Sequence, residues 1–344
     1  VGVYGSGGVF KYTNRAQYSG KAVLFGRKGT LGKPLYVEGQ LWAVDTMYFL
    51  TYSNRLLEKF SYYQFLAFNW VPYITHTAIP SVVASEIVAC YFPIPPLKEQ
   101  AKIADYLDNG CASLDTILDK TRSSIEEYKK LKQAVITQAV TTLNCPNVKL
   151  KYLMDIIVDC PHETPIYTFT GNYLVIRTSD QSLASLRCDE YMYRLDEAEY
   201  KKRTRRLTLD KDDIVYGREG SWGLACLVPQ SNKYCLGQRV MQFRCNTRLL
   251  YPKYAMYALN SETVYMQGAL DTIGSTAPHV NISTICNYLL PVPALNEQKE
   301  ITNCLDAKCA EIDKLIAKKE QLVKELESYK KSLIYEVVTG KREV

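Results

Sequence analysis

Few residues of this 344-residue chain stand at spacings that support catalysis. Gly32-Lys33 is similar to the end of a phosphate-binding loop. However, Arg27 occupies a place that needs glycine, and Pro34 replaces the hydroxyl residue that would hold Mg²⁺. In Tyr4-Gly5-Ser6-Gly7-Gly8 the third glycine place of a dinucleotide fingerprint is Phe10. His76, His162 and His279 lie far apart, and Cys160-Pro161-His162 is the one close pair, whereas structural zinc uses paired ligands at short spacing. Asn69-Trp70-Val71-Pro72-Tyr73 is not the Asn-Pro-Pro-Tyr type of methyltransferase motif, and no Ser-His-Asp or Cys-His grouping stands out. The expectation is a chain that is not an enzyme and holds no metal or cofactor of its own. The chemistry that remains is recognition. Lys201-Lys202-Arg203-Thr204-Arg205-Arg206 places five cations in six residues, a pattern that tracks nucleic-acid phosphates. Two turns match, Gly26-Arg27-Lys28-Gly29-Thr30-Leu31-Gly32 and Gly217-Arg218-Glu219-Gly220-Ser221-Trp222-Gly223. Glycine lets the backbone approach a partner, and arginine reaches guanine edges or phosphate with two hydrogen bonds.

The elements that must carry these turns come from an internal repeat. Pro93-Ile94-Pro95-Pro96-Leu97-Lys98-Glu99-Gln100 returns as Pro291-Val292-Pro293-Ala294-Leu295-Asn296-Glu297-Gln298. The match holds without a gap from 93–141 to 291–339, with 17 identities in 49 pairs, too many for coincidence. After its proline-rich lead-in each copy reads as one long helix, since proline suits a helix start and breaks an interior. Apolar residues recur at alternating four and three spacings, a heptad seam. In the first copy the seam includes Leu107, Leu114, Leu118, Ile125 and Val135, and in the second Leu305, Ile312, Ile316, Val323 and Leu333. Both seams are interrupted at equivalent places, by Thr121 and Lys132 and by Lys319 and Lys330. About 45 residues at ~1.5 Å each give helices of roughly 67 Å, and each supplies the other's partner. A duplicated chain can pack its halves about a pseudo-two-fold, making the helices antiparallel.

The expected layout is therefore domain, helix, domain, helix, with divisions at 1–92, 93–143, 144–290 and 291–344. The fold class is α+β: two β-rich domains alternate with two long helices paired as an antiparallel coiled coil. Strand-like runs fill 21–50 and 213–245, and helical stretches lie around 55–70 and 251–266. The net charge of +6 resides entirely outside the helices, which are each neutral. An anionic partner should therefore meet the domains. His76-Thr77-Ala78-Ile79-Pro80 also matches Ser275-Thr276-Ala277-Pro278 with one insertion. The 11 cysteines are odd in number and contain no CxxC pair, which suits reduced thiols in a cytoplasm. No stretch approaches the ~20 apolar residues of a membrane-spanning helix, and no membrane is expected as a partner.

The repeated Pro-x-Pro-x-Leu-x-Glu-Gln lead-in, the Leu-Asp pair, the heptad helix and the exit Val338-Thr339-Gly340-Lys341 together resemble the specificity subunits of type I restriction-modification systems. The resemblance covers essentially the whole chain. It implies two target recognition domains, each reading half of a split double-stranded DNA sequence, with the helices as spacer. It also implies adenine methyltransferase (M) and restriction (R) subunits as partners, with S-adenosylmethionine and ATP/Mg bound by those partners. Arg27, Lys28, Thr30, Arg218, Glu219, Ser221 and Arg239 become candidate base readers, and Arg203, Arg205 and Arg206 candidate phosphate contacts. A coiled-coil scaffold presenting two protein-binding domains is the alternative; its binding would be insensitive to salt, unlike phosphate contacts. One departure stands out. The first domain has about 92 residues and the second about 147; the Gly-Arg turn lies 25 residues into the chain but some 70 past Val148, so roughly 45 residues read as missing at the start, opposite Val148-Lys149-Leu150-Lys151-Tyr152-Leu153. The first domain thus reads as N-terminally incomplete, with the second the safer reader of DNA.

Overall fold

The structure, a computed structural model, describes residues 1–75, 78–187, 189–220, 222–272 and 278–344. His76, Thr77, Ser221, Ser275, Thr276 and Ala277, all singled out above, lie outside the described residues. The long helices run Leu97–Thr141 and Leu295–Val338. Packing forms two compact units, Val1–Ser124 with Lys318–Val344, and Ile125–Ala317. That division cuts across both helices, because each β-rich domain buries its apolar face on the helix segments beside it.

In the first unit a five-stranded sheet has the order β2-β1-β4-β3-β5, built from β1 (Gly2–Gly5), β2 (Gly8–Tyr12), β3 (Tyr18–Gly26), β4 (Leu35–Ala43) and β5 (Met47–Phe49). Only β1 and β4 are parallel, with Gly2 opposite Leu41 and Tyr4 opposite Ala43. The β3 burial pattern changes from alternating to continuous at Ala22-Val23-Leu24-Phe25, because both faces of its second half are covered. Helix α1 (Glu58–Ala67) packs Phe60 and Tyr63 against Leu107, Cys111, Leu333 and Val337 of the long helices. Full burial of one such leucine stabilises by about 1.5–3 kcal/mol.

The second unit repeats this plan at greater length. Strand β6 (Asn147–Lys149) pairs β14 (Leu289–Pro291). Between them lie β7 (Met154–Asp159), β8 (Tyr173–Ile176), β9 (Arg194–Leu195), helix α2 (Glu197–Arg203), β10 (Ile214–Gly217), β11 (Ala225–Leu227), β12 (Tyr234–Leu236), β13 (Val240–Cys245) and helix α3 (Pro252–Leu259). One sheet has the order β11-β10-β13-β7 and another β9-β8-β12. The β8–β12 pair is parallel, as β1–β4 is, and Gly217 faces Val240 as Gly26 faces Met47. This equivalence corrects the arithmetic of the shortage. Tyr4 and Gly26 are 22 positions apart, whereas their counterparts Ile176 and Gly217 are 41 apart. About 19 of the 45 residues therefore belong inside the domain, where the second domain carries α2 and its cations.

The repeat is explained by contacts that recur. Gln100 is fully buried; its Oε1 accepts from Leu57 N (2.8 Å), and its Nε2 donates to Arg55 O (2.9 Å) and Pro95 O (2.7 Å). Gln298 repeats all three contacts, accepting from Tyr251 N (2.7 Å) and donating to Leu249 O and Pro293 O (2.9 Å each). Each glutamine thus ties the start of a long helix to the start of a domain helix. The repeated Leu-Asp pair has a similar role. Asp108 accepts from Tyr63 OH and pairs with Lys59, and Asp306 accepts from Tyr257 OH (2.8 Å) and pairs with Lys253 (2.6 Å). Between the helices, Lys132 Nζ meets Asp313 (2.8 Å) and Lys330 Nζ meets Asp115 (2.5 Å). These reciprocal pairs show the helices antiparallel, and they turn two of the seam interruptions into register marks.

Most of the expected seam is buried: Leu107, Leu114, Leu118, Ile125, Leu305, Ile312 and Leu333. Val135, Ile316 and Val323 are only half-buried. Beyond Lys132 the buried stripe moves to Ile136 and Val140, and in the second helix it widens to Ile334 and Val338. A 3.6-residue helix drifts off a heptad, and here the drift turns the stripe toward the domain core. The second helix stops at Gly340, whose φ of +73° suits a C-terminal cap, with Lys341 N donating to Glu336 O (2.8 Å).

Candidate nucleic-acid interface

The two Gly-Arg turns are one device built twice. In the first domain Arg27 N and Lys28 N donate to Thr46 O, Gly29 N donates to Pro80 O, and Val82 N donates to Arg27 O. In the second, Arg218 N and Glu219 N donate to Arg239 O, Gly220 N to Pro278 O, and Val280 N to Arg218 O. Gly29, Gly32, Gly220 and Gly223 all hold positive φ, from +68° to +91°, which accounts for glycine at both places in both copies. Gly223 is further confined, since a Cβ there would lie 2.6 Å from the Tyr265 ring.

The side chains on this shared frame differ. Arg27, Lys28 and Thr30 are all exposed; the Arg27 guanidinium donates to Asp45 O at 3.3 Å. The tip of the β1–β2 hairpin adjoins them, with Ser6 Oγ 3.0 Å from where a Cβ on Gly29 would stand. Arg218 corrects an expectation. Its side chain is 10 % exposed, and its guanidinium is paired with Asp159 (3.3 Å) and Glu219 (2.7 Å). It organises the turn and is not presented to a partner, while half-buried Glu219 is held by it. The difference has a cause: Asp159 ends β7, and Glu219 replaces Lys28. Arg239 is exposed beside Gly220 and holds a φ of +68°, a strained conformation for a residue other than glycine.

The basic run divides in the same way. Helix α2 begins at Asp196, whose side chain accepts from Glu199 N (2.8 Å), and its last turn carries Lys201, Lys202 and Arg203. Arg203 is buried and donates to the carbonyls of Leu236, Gly237, Glu163 and Pro161. It is a structural clasp and not the expected phosphate contact, because four carbonyls, those of Leu236 and Gly237 buried, already engage its donors. Lys201 pairs with Glu197 and Lys202 with Glu163, each at 2.6 Å, and the Lys202 hydrogen bond holds the Glu163 carboxyl below its usual range. Arg205 and Arg206 are exposed and form no ion pair among the described residues. With His162 and Lys202 they line a cavity of about 320 Å³.

Sequence reading missed the residues that join these parts. Asp159 binds both Arg218 and His162 (3.2 Å), and Gln238 Nε2 donates to Thr164 Oγ1 (3.2 Å). The neighbouring stretch exposes Ile166 and Phe169, the latter entirely. The surface combines free guanidinium groups, a hydrogen-bonding amide and exposed aromatics on backbone turns of fixed geometry. That is the equipment for reading base edges and phosphates.

Comparison with known proteins shows the family to which the chain belongs. The family model described as type I restriction modification DNA specificity domain matches residues 2–127 and 159–326. The chain is 24 % identical over 342 residues to the type I restriction enzyme MjaVIII specificity subunit of Methanocaldococcus jannaschii, covering 93 % of this chain and 76 % of that one. It is 26 % identical over 130 residues to the EcoBI specificity subunit of Escherichia coli, covering 38 % and 27 %. Among solved structures, a chain from work on assembly and conformational transition of the type I R-M system superposes with a TM-score of 0.72 at 17 % identity, covering 95 % and 84 %. The HsdS subunit from Thermoanaerobacter tengcongensis gives 0.50 at 16 %, covering 96 % and 84 %. With a family model matched once on each side of the duplication and a fold shared along nearly the whole chain, the protein belongs to the type I restriction modification DNA specificity family.

Proposed function

We propose that this chain is the DNA-reading subunit of a type I restriction-modification complex, with each β-rich domain reading one part of a split target. The observation that carries the reading is the Gly-Arg turn. It is built on the same backbone hydrogen bonds in both domains, yet carries different side chains in each: one scaffold, two specificities. Arg239 and Gln238 in the second domain, and Arg27 and Lys28 in the first, reach base edges, with Thr30 beside the latter. Arg205 and Arg206 hold phosphates and set the register. Arg203 and Arg218 are positioning residues that keep the reading loops in place. Methyl transfer and cleavage belong to M and R partner subunits, which bind S-adenosylmethionine and ATP/Mg; this chain is the non-catalytic member and works in the cytoplasm. No helix among the described residues is long and apolar enough to cross a membrane.

The test is co-expression with an M subunit that forms a complex with it, followed by mapping of adenine methylation by long-read sequencing. A two-part motif with a fixed gap is the expected result. A motif made from one half-site would assign reading to the second domain alone. A stable complex without methylation would refute the reading.

A further inference from the structure

The stretch 161–171, which leads from β7 to β8, is braced along its length. Pro161, His162 and Glu163 line the cavity that Arg205 and Arg206 share. Thr164 Oγ1 accepts from Gln238 Nε2 (3.2 Å), the neighbour of Arg239. Pro165 is buried, and Thr168 N donates to Arg194 O (2.8 Å) on β9. Gly171 N donates to Thr168 Oγ1 (3.0 Å), and a Cβ on Gly171 would collide with Leu195 O. The turn 168–171 is thus closed against β9, with the Phe169 side chain wholly in solvent at its tip. Ile166, Tyr167 and Tyr193 are exposed beside it, a cluster and not a scatter of single apolar residues. Tyr167 and Tyr193 are packed on each other, 4.5 Å between ring centroids. The Arg177 guanidinium, held by Asp180 (2.9 Å), lies 3.9 Å over the Tyr193 ring.

We propose that Phe169 is a wedge that enters between two base pairs of duplex DNA, beside the sequence read by Gln238 and Arg239. An apolar side chain inserted at a base step unstacks it and bends the duplex. Charge selects nucleic acid as the occupant, because the stretch begins at a cationic cavity and a guanidinium lies among its rings. The arrangement also selects a duplex. A single strand is held on a row of open aromatic faces, whereas here two rings cover each other and one stands free. Five residues separate Thr164 from Phe169, a reach of at most about 18 Å. At ~3.4 Å per base pair the opened step lies within about five pairs of the base that Gln238 meets. The proposal rests on the DNA-reading function and adds to it. The second domain distorts the site it reads, so its specificity includes the deformability of a step that no hydrogen bond touches.

The test uses the full chain in complex with its M subunit and duplexes carrying the methylated sequence. 2-Aminopurine is placed singly at each position outside the methylated adenines. Its fluorescence should rise severalfold at one step within about five pairs of one half-site. Phe169→Ser should abolish that rise and weaken duplex binding about tenfold without shifting the melting curve, since the side chain is wholly exposed. Phe169→Leu, still an apolar wedge, should keep most of the rise. Three results overturn the proposal while leaving DNA reading intact. One is an unchanged fluorescence profile in Phe169→Ser. Another is tighter binding of a single strand than of the duplex, lost equally in Phe169→Leu, which would make the ring a stacking platform. The third is loss of M-subunit assembly in Phe169→Ser, seen by gel filtration, which would put a protein on the patch. Failure of the wild-type complex to bind any duplex would instead overturn the reading function, and the wedge with it.

Discussion

Replacing Gln298 by methionine keeps the side chain's length and removes its three hydrogen bonds, two of which tie the start of the second long helix to the segment that opens α3. The residue is fully buried, and its amide serves Tyr251 N, Leu249 O and Pro293 O at 2.7–2.9 Å. Each lost bond costs about 0.5–1.5 kcal/mol net, and about 1–3 kcal/mol where the partner stays buried and unpaired. Three such losses, partly relieved by water at the helix start, come to about 3–5 kcal/mol. A chain of two compact units does not guarantee a single unfolding transition, so a global stability is the wrong readout. Amide exchange of Tyr251–Leu259 reports the local opening directly. At 1.4 kcal/mol per tenfold, exchange there should accelerate roughly 100-fold or more. Gln100→Met should do the same at Leu57–Ala67, while Gln138→Met, at an exposed position of the first long helix, should leave exchange unchanged. Acceleration below about fivefold in both buried variants, equivalent to under about 1 kcal/mol, would refute the claim that these glutamines hold the domains to the helices.

Other consequences are equally direct. Arg205→Ala and Arg206→Ala should each reduce the slope of log affinity for duplex DNA against log salt by about 0.9 without altering the melting curve. Arg203→Ala should instead lower the melting temperature, because it leaves buried carbonyls unpaired; titration and calorimetry of the three variants separate the roles. Asp313→Ala leaves the Lys132 ammonium, on a side chain only 9 % exposed, without its partner and should cost about 1–2 kcal/mol. Asp115→Ala, opposite the more exposed Lys330, should cost about half that, a contrast that paired denaturant titrations resolve. Burial pushes the thiols of Cys226, Cys235 and Cys245 up to about 12, so at pH 8 they hold almost no thiolate. Exposed Cys304 should react with a disulfide reagent in the native protein, and those three only after unfolding; mass mapping of rapid labelling at Cys235 would contradict this.

The duplication, the long helices and the shared Gly-Arg turns were legible in the sequence because each rests on local chemistry. Prolines bound a helix, apolar spacing marks a buried stripe, and glycines occur where φ is positive. The polar seam residues Lys132 and Lys330 were visible as interruptions, and the repeated Asp115 and Asp313 as identities. That they answer one another across the pair is a non-local fact. The same holds for Gln100 and Gln298, which read as part of a helix start until their partners on the domain helices came into view.

The basic surface is where sequence misleads most. Arg203 and Arg206 are three residues apart in one cationic run, yet one is sealed among carbonyls and the other is exposed. Arg27 and Arg218 occupy one backbone turn, yet only Arg218 meets carboxylates, one of them delivered by β7 from almost 60 positions away. Sequence by itself determined which groups are charged and which stretches are helix, turn or seam, because those properties depend on residues near in the chain. Tertiary structure decided which charges are free to meet DNA, because burial and pairing depend on what distant segments bring to the same place.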